Sequence, residues 1–449
     1  MIRTVGFFKT KRHCGTLCLG GLFSLLLTWS GALFASDAPQ EKSGEDLETA
    51  VEDAEPAPAK EQDENLLKYI LSPDYTPIRS ILFDREAPLL GLTWGGTVLY
   101  DIPLNSEPDG ASSTLRLAKL SYFKKINEKW DVRFNVNYNN AGQFELGNNY
   151  IDYTGWKSAK LTFGVFDPAF SLEKVSQRAG TTFMERALPV EALSETRSGG
   201  LGVLKRTPNA ILNAGLFFLS PDYQGQTQSG QALVLHYVHA PLKRKKEGSI
   251  LGGRSIWAGL SLSYRTNISG PDTQFRSKPE IATVDDYYVD TDSIDRAEEI
   301  FRLGFEASHV HGRLSWQTEV LTTRVKRQGM ESLDFWGAYF LASWFLTNDS
   351  RNYNPAKGSF LALDPQSPVR HGGKGAFELA ARASYIDLND RNIIGGEQAN
   401  LTLGLNWYAN SNWRLMLNLV KVLDVKRPGS IYDGEDPLIL SLRGQWYLH

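Results

Sequence analysis

The chain is nearly free of cysteine: of 449 residues only Cys14 and Cys18 carry a thiol, and both stand close to the N-terminus. Beyond them, disulfides, thiolate metal sites and cysteine nucleophiles are excluded, as suits a chain that crosses an oxidising compartment. Past Phe34 there is no run of about eighteen apolar residues, so no spanning helix is expected. In lipid the remaining solution is a closed barrel, in which the strands satisfy one another's backbone groups. A strongly basic stripe is also missing. The formal charge is -3, and no extended basic stripe of the kind a nucleic-acid surface requires appears, so no nucleic-acid partner is expected.

What is present begins with Arg3, Lys9, Lys11 and Arg12 ahead of an apolar run from Leu17 to Phe34. This is the layout of a secretory signal peptide. Gly20, Gly21, Ser24, Thr28, Ser30 and Gly31 interrupt the run, and no stop-transfer cluster follows, so cleavage is expected rather than anchoring. Cleavage after Ala32 and cleavage after Ala35 both remain open, and no lipobox precedes either cysteine. Ser36 to Asn65 holds eleven acidic residues against Lys42 and Lys60, the composition of a solvated arm. The expected division is a signal peptide over 1–35, an acidic disordered arm over 36–75 and a barrel domain over 76–449. The signal carries +4 and the stretch from Ser36 to Asn65 carries -9, so Leu66 to His449 is close to neutral at +2.

The body alternates. Along Trp130 to Asn139, Val132, Phe134 and Val136 share one face and Asp131, Arg133, Asn135 and Asn137 the other. Trp130 and Tyr138 cap the apolar face, as a lipid-facing strand needs at its two interfaces. Leu90 to Tyr100, Leu115 to Lys125, Phe377 to Asp387, Ala399 to Trp407, Trp413 to Val422 and Leu438 to Leu448 repeat the pattern. Short connections such as Asn127 to Lys129, Lys157 to Ala159, Thr207 to Asn209, His311 to Gly312 and Ala409 to Asn412 read as periplasmic turns. Longer ones, Asn105 to Ala111, Ser220 to Gly230, Asn389 to Gln398 and Lys426 to Pro437, read as external loops. The fold expected is all-β, a transmembrane antiparallel barrel of about sixteen strands. One connection fits poorly: Asn348 to Lys374 is too long for a turn, so either it folds into the pore or the strand count fails there.

On the inferred luminal face stand Lys119, Arg133, Arg265, Arg302, Arg382, Arg414 and Arg443, with Asp131, Glu306, Glu319 and Glu378. A charge on the lipid side near mid-membrane costs about 2–4 kcal/mol, which places them inward. There they either raise the local anion concentration or pair across the lumen and stiffen it. Catalysis is not expected. His236 and His239 point to opposite faces of a strand, His309 and His311 flank a turn, and the aspartates between Asp285 and Asp295 lack the calcium-loop spacing. No cofactor or metal is expected. Lys243 to Lys246 reads as a solvated turn or a contact with acidic partners.

Gly164-Val-Phe-Asp-Pro-Ala-Phe-Ser-Leu-Glu173, followed by Thr182-Phe-Met-Glu-Arg-Ala-Leu188, resembles the phosphate-selective porin O and P family. Gly372-Gly-Lys-Gly-Ala-Phe-Glu-Leu-Ala380, Ser384-Tyr-Ile-Asp-Leu388 and Leu403-Gly-Leu-Asn-Trp-Tyr408 continue the resemblance, which covers roughly Leu90 to Leu448. It implies a homotrimer of outer-membrane barrels whose inward-folded loops narrow each pore and whose basic residues attract small anions such as phosphate. Outer-membrane lipid, lipopolysaccharide and the barrel-insertion machinery are then the other expected partners. A general porin or a plugged barrel is the alternative. The constriction loop would run from about Asp167 to Ser198. In it Glu173, Glu185 and Arg186 are expected to hold the loop's shape, and Lys174, Arg178 and Arg197 to meet solutes. The sequence also departs from the family's pattern. Arg276 and Lys278 stand in a long external loop, Asn267 to Arg296, that continues through Asp285, Asp286, Asp290, Asp292 and Asp295. Lys119 lies in a stretch where the family is richer in arginine. Leu448, not His449, stands where a terminal aromatic is usual.

Overall fold

The structure is a computed structural model that describes residues 93–105, 111–219, 230–239, 255–266, 268 and 273–448. The expected signal peptide and acidic arm, most of the loop Ser220 to Gly230, and the run Lys243 to Lys246 lie outside the described residues.

In chain order the strands are β1 Thr93–Pro103, β2 Thr114–Lys125, β3 Trp130–Asn139, β4 Phe144–Leu146, β5 Asn149–Tyr153, β6 Ala159–Phe166, β7 Ser198–Arg206, β8 Ala210–Leu219, β9 Gln231–His239 and β10 Ser255–Thr266. They continue as β11 Arg276–Ser277, β12 Val289–Asp290, β13 Ala297–His311, β14 Leu314–Arg327, β15 Leu333–Phe345, β16 Asn352–Asn354, β17 Ser359–Leu361, β18 Ala376–Asp390, β19 Ile393–Tyr408, β20 Trp413–Lys426 and β21 Leu438–Leu448. Two short helices, α1 Leu172–Val175 and α2 Leu188–Leu193, lie between β6 and β7. β1 pairs antiparallel with both β2 and β21, Val98 facing Ala118 on one side and Trp446 on the other, so the sheet closes. β4 and β5 pair with successive parts of β3 and form one broken stave, which makes the closed barrel sixteen-stranded. The break falls at Gly147, whose N–H donates to Asn135 O at 2.9 Å; a Cβ there would stand 2.7 Å from that of Asn135.

Alternation produces this closure because the two faces meet different solvents. On β15, Trp336, Phe340 and Trp344 are exposed outward while Phe335, Tyr339, Leu341 and Phe345 are buried inside. Outward Leu120, Phe134, Phe163, Leu216, Phe305 and Leu403 repeat this around the wall. An apolar belt of that extent is untenable in water and belongs in lipid. Aromatic contacts mark both limits of the belt. Trp130 lies 4.8 Å from Tyr153 at the short-turn end of β3, and Tyr138 lies 5.1 Å from Phe144 at the other.

β3 and β21 have the bounds read from the sequence. The expected external loop Asn389 to Gln398 is instead strand: Asn389 pairs with Ile394 and Asp390 with Ile393, and Arg391 at φ 53° closes a tight turn. Apolar alternation fades there because the hairpin rises beyond the apolar belt, while its backbone pairing continues.

Three segments fold inward. The first is 167–197, carrying α1 and α2. The second is the described part of the loop between β10 and β13, expected outside. It turns inward because Phe275, Ile281, Val284, Tyr288, Val289 and Ile294 bury themselves and because Glu280 binds Arg382, Ser384 and Thr402 on β18 and β19. Asp285, Asp286, Asp292 and Asp295 stay exposed. The third is the connection between β15 and β18, which resolves the alternative left by the sequence: the strand count holds and the segment enters the lumen. Its β16–β17 hairpin meets the first segment, Gln177 N donating to Phe360 O at 3.1 Å and Phe360 N to Ser176 Oγ at 3.1 Å.

This filling is lopsided. The inner faces of β13, β14, β15, β18, β19 and β20 are buried almost continuously, whereas β2 is only half-buried along its length and β5 and β6 are mostly so. The open part of the lumen therefore runs along the wall of β2, β3, β5 and β6.

Candidate functional site

The inward segment 167–197 is shaped by local capping and then pinned by charge. Ser171 caps α1 and accepts from Lys174 N at 3.3 Å. The Leu172 and Glu173 N–H groups both donate to the Glu319 carboxylate at 2.9 Å, a wall carboxylate placed at a helix N-terminus where the orphan donors lie. Pro189 stands in the first turn of α2, where its missing N–H costs nothing.

Five carboxylates carry these ion pairs. Glu195 accepts from Arg265 at 2.7 Å, Arg302 at 2.6 Å and the Ser263 hydroxyl. Burial pushes its carboxyl up, but Arg302 and Arg265 outweigh this and hold it down at about 2. Glu185 takes Arg116 at 2.9 Å and Arg443 at 2.6 Å, with Arg178 at 3.9 Å. Arg443 also donates to Asp101 at 2.5 and 2.6 Å. Arg382 bridges Glu173 at 3.4 Å and Glu280 at 2.9 Å and lies 4.6 Å over the Phe183 ring. Glu280 itself, at φ 62°, accepts from Leu188 N at 2.9 Å, Ser384 at 2.5 Å and Thr402 at 2.9 Å. Arg414 donates to the Thr181 and Thr182 carbonyls at 2.7 and 2.9 Å. Arg265, Arg382, Arg414 and Arg443 are all at most 3% exposed. The structure thus places these four luminal-face candidates in the contact between wall and loop, not on the open path. A buried guanidinium is stable only when charge-assisted bonds replace its hydration, and the loop's acids and carbonyls, with Asp101 of the wall, supply them.

The open side is different. Lys119 and Arg133 project from β2 and β3, and Lys174, Arg178, Arg186 and Arg197 from the facing loop. Arg133, Arg178, Arg197 and Asp167 all lie near enough to act electrostatically on Lys119, and Arg186, Asp167, Arg197 and Arg178 on Lys174, so these groups cluster around one gap on the open side of the lumen. Arg197 meets Asp167 at 3.5 Å and Asn148 at 2.8 Å, and Lys160 meets Asp152 at 2.7 Å. Lys119, Arg133, Lys174 and Arg186 make no ion pair within 4.0 Å among the described residues. Burial, and then Arg186, bring the Lys174 ammonium down to about 7. Burial raises the Asp167 carboxyl, but Arg197 and Lys174 hold it below the usual carboxylate range. Burial together with Glu185 pushes Glu191 up to about 7.

Above this gap lies a hollow of about 600 Å³ lined by Arg116, Glu145, Glu185, Arg197, Lys278 and Tyr287 among others. Arg276 stacks 4.1 Å over Tyr287, and Lys278 pairs with Asp285 at 3.2 Å, so both expected cations of that loop sit at this vestibule. Below the gap a smaller hollow of about 190 Å³ is lined by Tyr150, Lys160, Thr162 and Asp167.

Sequence reasoning missed Arg116. Strict alternation puts it opposite in face to Lys119, but the β1–β2 register skips it between Leu117 and Leu115, a β-bulge that re-aims its side chain. Arg351, which donates to Gln317 at 2.7 Å and stacks 3.6 Å over Phe360, was hidden in the connection that had no assigned structure.

A family model for the phosphate-selective porin O and P family matches residues 93–448. An uncharacterised protein of Caulobacter vibrioides is 29% identical over 275 residues, 58% of this chain and 52% of that protein, so the match spans about half of that relative's length. Porin O of Pseudomonas aeruginosa is 24% identical over 335 residues, 65% of this chain and 72% of that protein. Among solved structures, a loop-deletion mutant of OmpT, an outer membrane protein of Vibrio cholerae, superposes with a TM-score of 0.49 at 12% identity, covering 79% of this chain and 98% of that one.

Proposed function

The chain belongs to the phosphate-selective porin O and P family, and from that premise we propose that it is an outer-membrane channel that prefers small anions, phosphate among them. One observation carries this reading: among the described residues Lys119, Arg133, Lys174 and Arg186 stand on the open side of the lumen without an ion pair, while Asp152, Asp167 and Glu185 near them are paired with Lys160, Arg197 and Arg116. Each such charge contributes only about 0.8 kcal/mol at ~5 Å in bulk water. Several around one narrow passage act together, raising local anion concentration and admission rate. The homotrimer, the signal peptide over 1–35 and the acidic arm over 36–75 are part of the same proposal and rest on the family and on composition.

The test is electrical. Reconstituted in planar bilayers across a KCl gradient, the protein is expected to give conductance steps with a reversal potential of the anion-selective sign. A cation-selective sign would overturn the preference. Millimolar phosphate is expected to reduce the chloride current, and unchanged current would remove phosphate from the proposal. The plugged-barrel alternative draws on the three inward segments, and folded protein without any steps would favour it.

A further inference from the structure

The lipid-facing wall between β14 and β21 is not uniformly convex. On β15 and β18, Ala342 faces Ala381, and their methyl groups form a floor. Trp316, Phe340 and Trp344 stand along one side of it and Leu403, Leu405 and Leu417 along the other, enclosing a furrow of about 870 Å³. Its lining is almost wholly apolar except at the short-turn end, where His309 and His311 reach it. Just beyond that end Arg313 is exposed, its guanidinium carbon 6.0 Å over the Trp344 ring. Lys374, whose carbonyl accepts from Trp407 Nε1 at 2.9 Å, is exposed at the same end of the wall. The short turns of such barrels face the periplasm, so these cations lie at the headgroup level of the periplasmic leaflet.

We propose that this furrow is a lipid site that seats an acyl chain of an anionic phospholipid of the periplasmic leaflet, with Arg313 and Lys374 against its head group. Two independent features converge: small residues leave room on a face otherwise covered by large side chains, and cations stand at the end where a head group must lie. Tryptophan at the same level suits the interface, and basic residues there recognise anionic head groups. The inference rests on the outer-membrane assignment and not on the anion preference of the pore.

Full-length protein in non-ionic detergent is titrated with phosphatidylglycerol and, separately, with phosphatidylethanolamine of the same chains, and bound lipid is counted by native mass spectrometry. Phosphatidylglycerol is expected to be retained preferentially. R313Q and K374Q should each weaken its retention by about fivefold, the order expected for one cation at an anionic surface. A342F with A381F, which fills the furrow from outside, should abolish retention while bilayer conductance persists. Equal retention of both lipids, or retention that survives the filled furrow, overturns the proposal. Loss of the assembly's mass in the filled variant also overturns it, since a second copy of the chain would then cover the furrow. Should the filled variant not conduct and so not be folded, undiminished retention by R313Q and K374Q decides against the site.

Discussion

Glu195 receives two guanidinium groups and a hydroxyl with none of its surface left to water. Replacing it by glutamine leaves Arg265 and Arg302 buried without an anion, a loss of about 3–5 kcal/mol for a broken buried pair. E195Q is therefore expected to lower the temperature at which the folded barrel unfolds in detergent, read by its heat-dependent shift on a gel. The cations of the open gap answer to a different measurement. Lys174 titrates at about 7 because burial and Arg186 disfavour its charge, and Glu191 at about 7 because burial and Glu185 disfavour its own. As pH rises through that value the lysine loses a positive charge and the glutamate gains a negative one, so both changes make the passage less positive. Anion preference is expected to be stronger at pH 5.5 than at pH 8.5, about 1.5 pH either side of that value, with the slope reduced in K174M/E191Q. A pH-independent reversal potential in the native protein would contradict this.

At the scale of elements, the segment between β15 and β18 is more than a connection. Its hairpin stacks Tyr353 on Trp257 at 3.9 Å, holds Arg206 through the Ala356 carbonyl at 2.8 Å and abuts the segment 167–197. Replacing β16–β17 and their turn by a short glycine-serine linker is expected to raise single-channel conductance, since it removes matter from the lumen without touching a barrel strand. Unchanged conductance in a folded variant would show that the hairpin lies off the ion path. The barrel strands were legible because their cause is local: apolar and polar residues alternate with the pleat, as along β3. The inward turn of 273–296 was not, because its acidic residues signal solvent while the interspersed Ile281, Val284, Tyr288 and Ile294 find burial only against a wall assembled from distant strands.

For the molecule as a whole, the lumen divides into a cemented half and an open half. Arg302 belongs to the first, fully buried against Glu195, and Arg133 to the second, exposed and 5.8 Å over the Tyr150 ring. R302M is expected to reduce thermal stability while leaving the selectivity of the surviving channels unchanged. R133Q should shift reversal potential toward cations and leave thermal stability within about 0.5 kcal/mol, as surface changes usually do. The reverse outcome in either variant would mean that the division is misplaced. An all-β barrel and its approximate strand number follow from the sequence alone, because apolar runs and alternation act over neighbouring residues. Which arginines meet water was decided only by the tertiary structure. Glu195 lies 70 residues from Arg265, and Asp101 lies 342 from Arg443 although the two face each other where β1 and β21 close the barrel, and a partner so distant in sequence leaves no trace in local pattern.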